Sequence, residues 1–194
     1  KNRKIWYKCK IILLNNGIIM NRLWKMLVLI VVLIISDQLT KGVIQSSFSL
    51  GESIPIIDGF FNFTYVRNPG AAFGFLAGAE DYIRKPLFLF LPVVACFWLT
   101  WLIWSVRKTN FLLCLAFSLI LAGAIGNLID RFSLDYVVDF LDFYYGRSHF
   151  PAFNIADSAI SVGGFFIFLD FIFELKKKRH ELRIKKLEEL NKGN

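Results

Sequence analysis

The residues best suited to chemistry crowd into one stretch of the chain. Asn127, Asp130 and Arg131 come first, Asp135, Asp139 and Asp142 follow, and Asn154 and Asp157 close the group. Four Asp between residues 130 and 142, in a region poor in basic side chains, need a reason. Asp157 opens a predicted helix, where the macrodipole favours its charge and its carboxylate is placed to cap free N–H groups. Asp139 lies in Tyr136-Val137-Val138-Asp139-Phe140-Leu141, with apolar neighbours on both sides. Such surroundings raise the pKa of a carboxyl. One carboxyl favoured as the anion and one favoured as the acid would make a general base and a general acid. That pair activates water against an amide carbonyl and protonates the departing amine. The plainer reading is an N-cap at Asp157 and a loop charge at Asp139, because helix starts and loops commonly carry Asp. Residue types alone leave both readings open.

Asp37 and Lys41 are four residues apart, share one helix face and can pair. They fall within an apolar run, where ionised groups are costly and usually neutralise one another. The expectation is a pair of that kind near the outer interface. Other chemistries fit less well. His149 and His180 fall on opposite sides of the predicted membrane and cannot share a zinc ion. No nucleophile elbow of the G-x-S-x-G kind and no Walker-type phosphate loop occurs. Cys96 and Cys114 sit in apolar runs as packing residues. A metal site made only of carboxylates stays open.

The elements that must position these groups follow from composition. Of 194 residues, 56% are hydrophobic, with 21 Phe and 5 Trp. The mean hydropathy is +0.52. So much apolar surface excludes intrinsic disorder, and three Cys in no metal-type spacing exclude a disulfide scaffold. The expected fold class is an all-α membrane protein. Four transmembrane helices are predicted, at about residues 23–44, 86–106, 110–129 and 157–175, with a small outward-facing β element between helices 1 and 2. Pro92 should bend the second helix, and Trp98, Trp101 and Trp104 form an interfacial belt at its end. Gly123 and Gly126 in the third helix permit close helix contact. The β element is expected at residues 60–66, rich in aromatic and β-branched side chains, before a turn at Asn68-Pro69-Gly70.

The net charge of +8 is not gathered on one face, as a nucleic-acid binder would have it. Seven Lys and Arg lie in residues 1–25, eight in 176–192, and Arg107 and Lys108 between two apolar runs. These 17 flank the spans and put both termini in the cytoplasm by the positive-inside rule. The predicted organisation is a basic N-terminal extension at 1–19 with no role in activity, a four-helix unit at 20–175, and a basic cytoplasmic tail at 176–194. That tail is read as a helix resting near anionic headgroups.

Five motifs now stand in order along the chain. They are Asp37-Gln38-Leu39-Thr40-Lys41, Asn68-Pro69-Gly70-Ala71-Ala72-Phe73-Gly74, Gly126-Asn127-Leu128-Ile129-Asp130-Arg131, Val138-Asp139-Phe140 and Phe153-Asn154-Ile155-Ala156-Asp157. In this pattern the chain resembles the bacterial lipoprotein signal peptidases (signal peptidase II), aspartic proteases of the inner membrane, over about residues 23–175. The resemblance implies that Asp139 and Asp157 form a catalytic dyad. It implies that Asp37, Lys41, Asn68, Gly70, Asn127, Asp130, Arg131 and Asn154 shape the site. It further implies cleavage of the signal peptide of a diacylglyceryl-modified prolipoprotein before the lipid-bearing Cys, with no metal or organic cofactor. The expected partners are those substrates and membrane lipids, with the protein acting as a monomer and the loop at 68–79 moving to admit substrate. The competing expectations are a small cation transporter or channel with an acidic outer mouth, and an inactive scaffold subunit.

Overall fold

The computed structural model describes residues 2–70 and 80–192. Its helices are α1 (Asn2–Ser47), α2 (Asp81–Val106), α3 (Phe111–Leu134) and α4 (Ile155–Lys192). Each holds a stretch long and apolar enough to cross a membrane, at Ile19–Ser47, Pro86–Val106, Phe111–Leu134 and Ile155–Glu189. The protein is therefore a multi-pass membrane protein with the expected four spans. α2 runs without a break through Pro86 and Pro92, and Trp98, Trp101 and Trp104 stay exposed along it. α4 continues unbroken from its span into the basic tail.

α3 is the central helix. About half of its apolar span is buried inside the protein, against less than a fifth in each of the others. Small residues make this possible. A Cβ on Gly123 would stand 2.2 Å from the Ala156 carbonyl oxygen, and one on Gly163 would stand 2.7 Å from that of Ala116. α3 and α4 thus pack backbone against side-chain-free backbone, the arrangement that small residues allow between spans. Neighbouring glycines provide a test. Gly163→Ala is expected to destabilise by about 1–3 kcal/mol through overpacking. Gly164→Ala, whose Cβ would meet nothing within 4 Å, should leave stability unchanged or slightly higher. Thermal unfolding in detergent reads both; equal effects would remove the close-approach argument.

α3 outlasts the sequence expectation, ending at Leu134 rather than near residue 129. Asp135 stops it in the left-handed conformation, with φ of 65°. Asp130 and Arg131 are consequently helical, one turn inside the end. At the opposite end of the bundle, Asn110 caps α3 by accepting from Leu113 N at 3.0 Å, and its amide donates to Asp170 of α4 at 2.6 Å. Asp170, one of the late charges of the fourth span, thereby has a structural partner. Arg22 of α1 donates to the Arg107 carbonyl at 2.8 Å and closes the end of α2.

The strands are β1 (Ser53–Ile57), β2 (Phe61–Asn68), β3 (Val137–Tyr145) and β4 (Ser148–His149), antiparallel in the order β1-β2-β3-β4. The hairpin β1–β2 is the β element expected between α1 and α2. β3 corrects the expectation, which left residues 136–141 as loop. Val137, Val138, Asp139 and Phe140 are all buried, so this strand shows no polar–apolar alternation. Ile44, Tyr65, Val138 and Phe140 form a core with Phe48, Phe63, Leu134 and Ile155, which fastens the sheet to the adjoining ends of α1, α3 and α4.

Candidate active site

The site assembles at that junction, starting from the first turn of α4. Asn154 precedes the helix, and its side-chain oxygen accepts from Asp157 N at 2.9 Å. In return, Asp157 Oδ2 accepts from Asn154 N at 3.3 Å. This reciprocal arrangement is a capping box. The cap is therefore Asn154, and Asp157 is its partner within the helix, a correction to the expected capping by Asp157. The Ala156 N–H goes to Asp37 Oδ1 of α1 at 2.9 Å.

Asn154 also turns toward β3. Its Nδ2 donates to Asp139 Oδ1 at 2.8 Å and lies 3.2 Å from both the Val138 carbonyl and Asn127 Oδ1. One asparagine, itself wholly buried, thus holds both Asp139 and Asp157. The second oxygen of Asp139 accepts from Asn68 Nδ2 at 3.1 Å. Asp157 Oδ1 accepts from Asn127 Nδ2 at 2.7 Å. Burial, and after it the Asp157 charge, push the Asp139 carboxyl up to about 7, against the opposing effects of the Asn68 and Asn154 bonds and the Lys41 charge. This agrees in direction with what its apolar neighbours implied.

Behind Asn127 lies a buried charge cluster. Lys41 Nζ is 2.7 Å from Asp37 Oδ2 and 2.9 Å from Asp130 Oδ2, and it donates to Asn127 Oδ1 at 2.9 Å. The expected Asp37–Lys41 pair exists, but one ammonium serves two carboxylates, and it is only 2% exposed. Gln38 Nε2 adds bonds to Asp130 Oδ1 at 2.9 Å and to the Gly126 carbonyl at 3.1 Å. Asp130 Oδ2 also accepts from Val138 N at 3.1 Å, which anchors the start of β3. Gln38 is a site residue that the sequence reading misses, and its place beside Asp37 in the first motif is the signal that points to it.

Arg131 donates to the Gly70 carbonyl at 3.2 Å and, more distantly, to that of Asn127 at 3.4 Å. Its buried Nε has no hydrogen-bond partner among the described residues. Gly70 N donates to Asn68 Oδ1 at 3.0 Å, closing the expected turn. All ten site residues inferred from sequence, Asp37, Lys41, Asn68, Gly70, Asn127, Asp130, Arg131, Asp139, Asn154 and Asp157, are thus joined in one hydrogen-bonded network. Asp142 is not part of it; it accepts from Asn62 and pairs with His149, each at 2.9 Å. Residues Ala71 to Gly74 of the second motif, and the rest of the loop to 79, lie outside the described residues. Among the described residues, no three His, Cys, Asp or Glu are grouped to hold a metal ion.

Comparison with known proteins bears on this geometry. The family model for signal peptidase (SPase) II matches residues 29–173. The lipoprotein signal peptidase of Syntrophus aciditrophicus (strain SB) is 49% identical over 142 residues, spanning 73% of this chain and 88% of that protein. That of Shewanella loihica is 50% identical over 150 residues, spanning 76% and 86%. A bacterial membrane enzyme solved by the in meso method at 2.3 Å superposes with a TM-score of 0.70 at 33% identity, covering 79% of this chain and 91% of its own. The four apolar helices, the family match and these relatives together mark a membrane peptidase of the aspartic type. The chain belongs to the signal peptidase II family.

Proposed function

We propose that this protein is an intramembrane aspartic endopeptidase that removes the signal peptide from diacylglyceryl-modified prolipoproteins, cutting just before the lipid-bearing Cys. The observation that carries the reading is Asn154, which holds Asp139 and Asp157 side by side. Two carboxyls so placed share one proton at working pH, because two anions at close range repel. Asp139, with its pKa near 7, carries that proton. Asp157 keeps the negative charge, at a helix N-terminus and with Asn127 and Asn154 as donors. Asp157 takes a proton from the attacking water, and Asp139 protonates the amine as the peptide bond breaks. Asp37, Lys41, Asn68, Gly70, Asn127, Asp130, Arg131 and Asn154 hold the two in place.

The basic termini and the Arg107–Lys108 turn support an orientation with both ends in the cytoplasm and the sheet and dyad on the outer side of the bacterial inner membrane. A diacylglyceryl group anchored in the outer leaflet would hold the scissile bond at that depth. The names of the relatives support the same substrate class. The transporter reading fits less well, since Asp37 and Asp130 are already engaged by Lys41.

The test uses purified protein in detergent with a diacylglyceryl-modified prolipoprotein, followed by gel mobility and mass spectrometry, with and without a chelator. Cleavage before the lipidated Cys is expected in both conditions, with the unlipidated precursor left intact. No cleavage of several lipidated substrates by folded protein would refute the reading, and cation flux in liposomes without proteolysis would replace it with transport.

A further inference from the structure

Outside the buried network, one more side-chain cluster is closely built and has no task in the mechanism above. Arg67 lies on β2 next to Asn68 and pairs in register with Val138 of β3. Its Nε donates to the Tyr65 hydroxyl at 3.0 Å. Its guanidinium lies 5.4 Å from the centre of the Tyr65 ring and 4.8 Å from that of Tyr136, close enough for cation–π attraction to both. The two hydroxyls are 3.5 Å apart, and Gln45 near the end of α1 lies beside both. Tyr65 is buried in the core that joins sheet to helices, whereas Arg67 is exposed. One surface arginine therefore ties β2 to the approach to β3, and Gln45 of α1 meets the hydroxyls of the two tyrosines it holds.

The position of the clasp gives it meaning. Pairing of β2 with β3 is irregular between Phe63 and Val66, and it resumes as Val66↔Asp139, Arg67↔Val138 and Asn68↔Val137. A bulge of this kind re-aims the side chains beyond it, and a slip of one residue turns them to the opposite face. Tyr65 stands at the bulge end of the resumed pairing, on β2, and Tyr136 stands just beyond its far end, next to β3, so the two side chains bracket it. The bond from Asn68 Nδ2 to Asp139 crosses the same short stretch.

We propose that Arg67 is a positioning residue: by clamping Tyr65 to Tyr136 it fixes the register of β2 on β3 beyond the bulge and so keeps the Asn68 amide on Asp139. The proposal rests on the reading of Asp139 as one of the dyad. Its consequence is readable in pH. The Asn68 bond favours the Asp139 anion, so its loss moves the titration of Asp139 upward. The other groups that act on Asp139 are Asp157 of α4, Lys41 of α1, Arg131 of α3 and the neutral Asn154. Among the described residues the Arg67 side chain engages Tyr65 and Tyr136 and none of these groups, so its replacement acts through Asn68.

The experiment compares full-length Arg67→Gln, Arg67→Lys, Tyr136→Phe, Asn68→Ala and the Arg67→Gln/Asn68→Ala double variant, with Asp139→Asn as control. Arg67→Gln should lower kcat by about tenfold to a hundredfold, the range that small misplacement produces, with little change in KM. The upper limb of its pH–rate profile should move to higher pH. Asn68→Ala should do the same, and the double variant should be no worse than Asn68→Ala alone. Arg67→Lys should rescue only in part, since an ammonium lacks the planar fork. Tyr136→Phe keeps the ring and should show the same pH shift in smaller measure, which covers the case of a poorly folded Arg67→Gln. Wild-type kcat and pH profile in Arg67→Gln or Tyr136→Phe, or additivity in the double variant, would overturn the proposal while an inactive Asp139→Asn leaves the dyad standing. An active Asp139→Asn would instead overturn the dyad reading, and the proposal with it.

Discussion

Asp139→Asn is expected to reduce prolipoprotein cleavage by on the order of 10³-fold or more, the scale seen when a member of a concerted catalytic group is removed, and to stabilise the fold above neutral pH. The first effect follows from the proposed proton inventory. An amide cannot deliver a proton to the leaving amine, and it cannot share one with Asp157. The second follows from linkage. Burial pushes the Asp139 carboxyl from its ordinary 3.8 up to about 7, so the folded protein holds that proton more tightly than the unfolded chain. The resulting contribution to stability is complete below about pH 4, shrinks as pH rises, and is gone once pH passes about 7. Asn has no such proton to lose. Melting temperatures of wild type and variant in detergent between about pH 4 and 9 should therefore diverge, with the variant higher at the alkaline end. Turnover of the wild type should fall above about pH 7 as the general acid is lost. Near-full cleavage by Asp139→Asn would refute the assignment, and parallel melting profiles would refute the burial argument separately.

Lys41→Met should have the largest effect on folding. It leaves Asp37 and Asp130, 1% and 2% exposed, without the cation that serves both, and it strips Asn127 Oδ1 of its charged donor. Removing one member of a buried ion pair typically costs about 3–5 kcal/mol. For a domain of this size that corresponds to a fall in Tm of about 6–20 °C. The triple variant Lys41→Met/Asp37→Asn/Asp130→Asn buries no charge and should recover much of the lost Tm. Equal melting of the single and triple variants would show that the loss is one of packing rather than of charge. Cleavage should stay low in both, because Asn127 no longer has the ammonium that orients it toward Asp157.

The spans, the hairpin β1–β2 and the Asp37–Lys41 pair were legible in the chain because each is a local property. A lipid solvent demands about 20 consecutive apolar residues, and charges four apart on a helix must face the same way. The five motifs were legible for the same reason, as short runs that can be read in place. What the chain did not disclose depends on contacts between distant segments. β3 pairs with β2 some seventy residues away, and a strand buried on both faces carries no alternation to announce it. The cap of α4 falls to Asn154, whose side-chain oxygen takes the Asp157 N–H while its amide is held by Asp139 of β3, and the Ala156 N–H goes to Asp37 of α1. Asp130 joined Lys41 only because α3 runs on to Leu134 and packs against α1. Hydropathy and spacing record what each segment requires of its solvent; which partners meet the buried polar groups is settled by close packing of α3, α4 and the sheet.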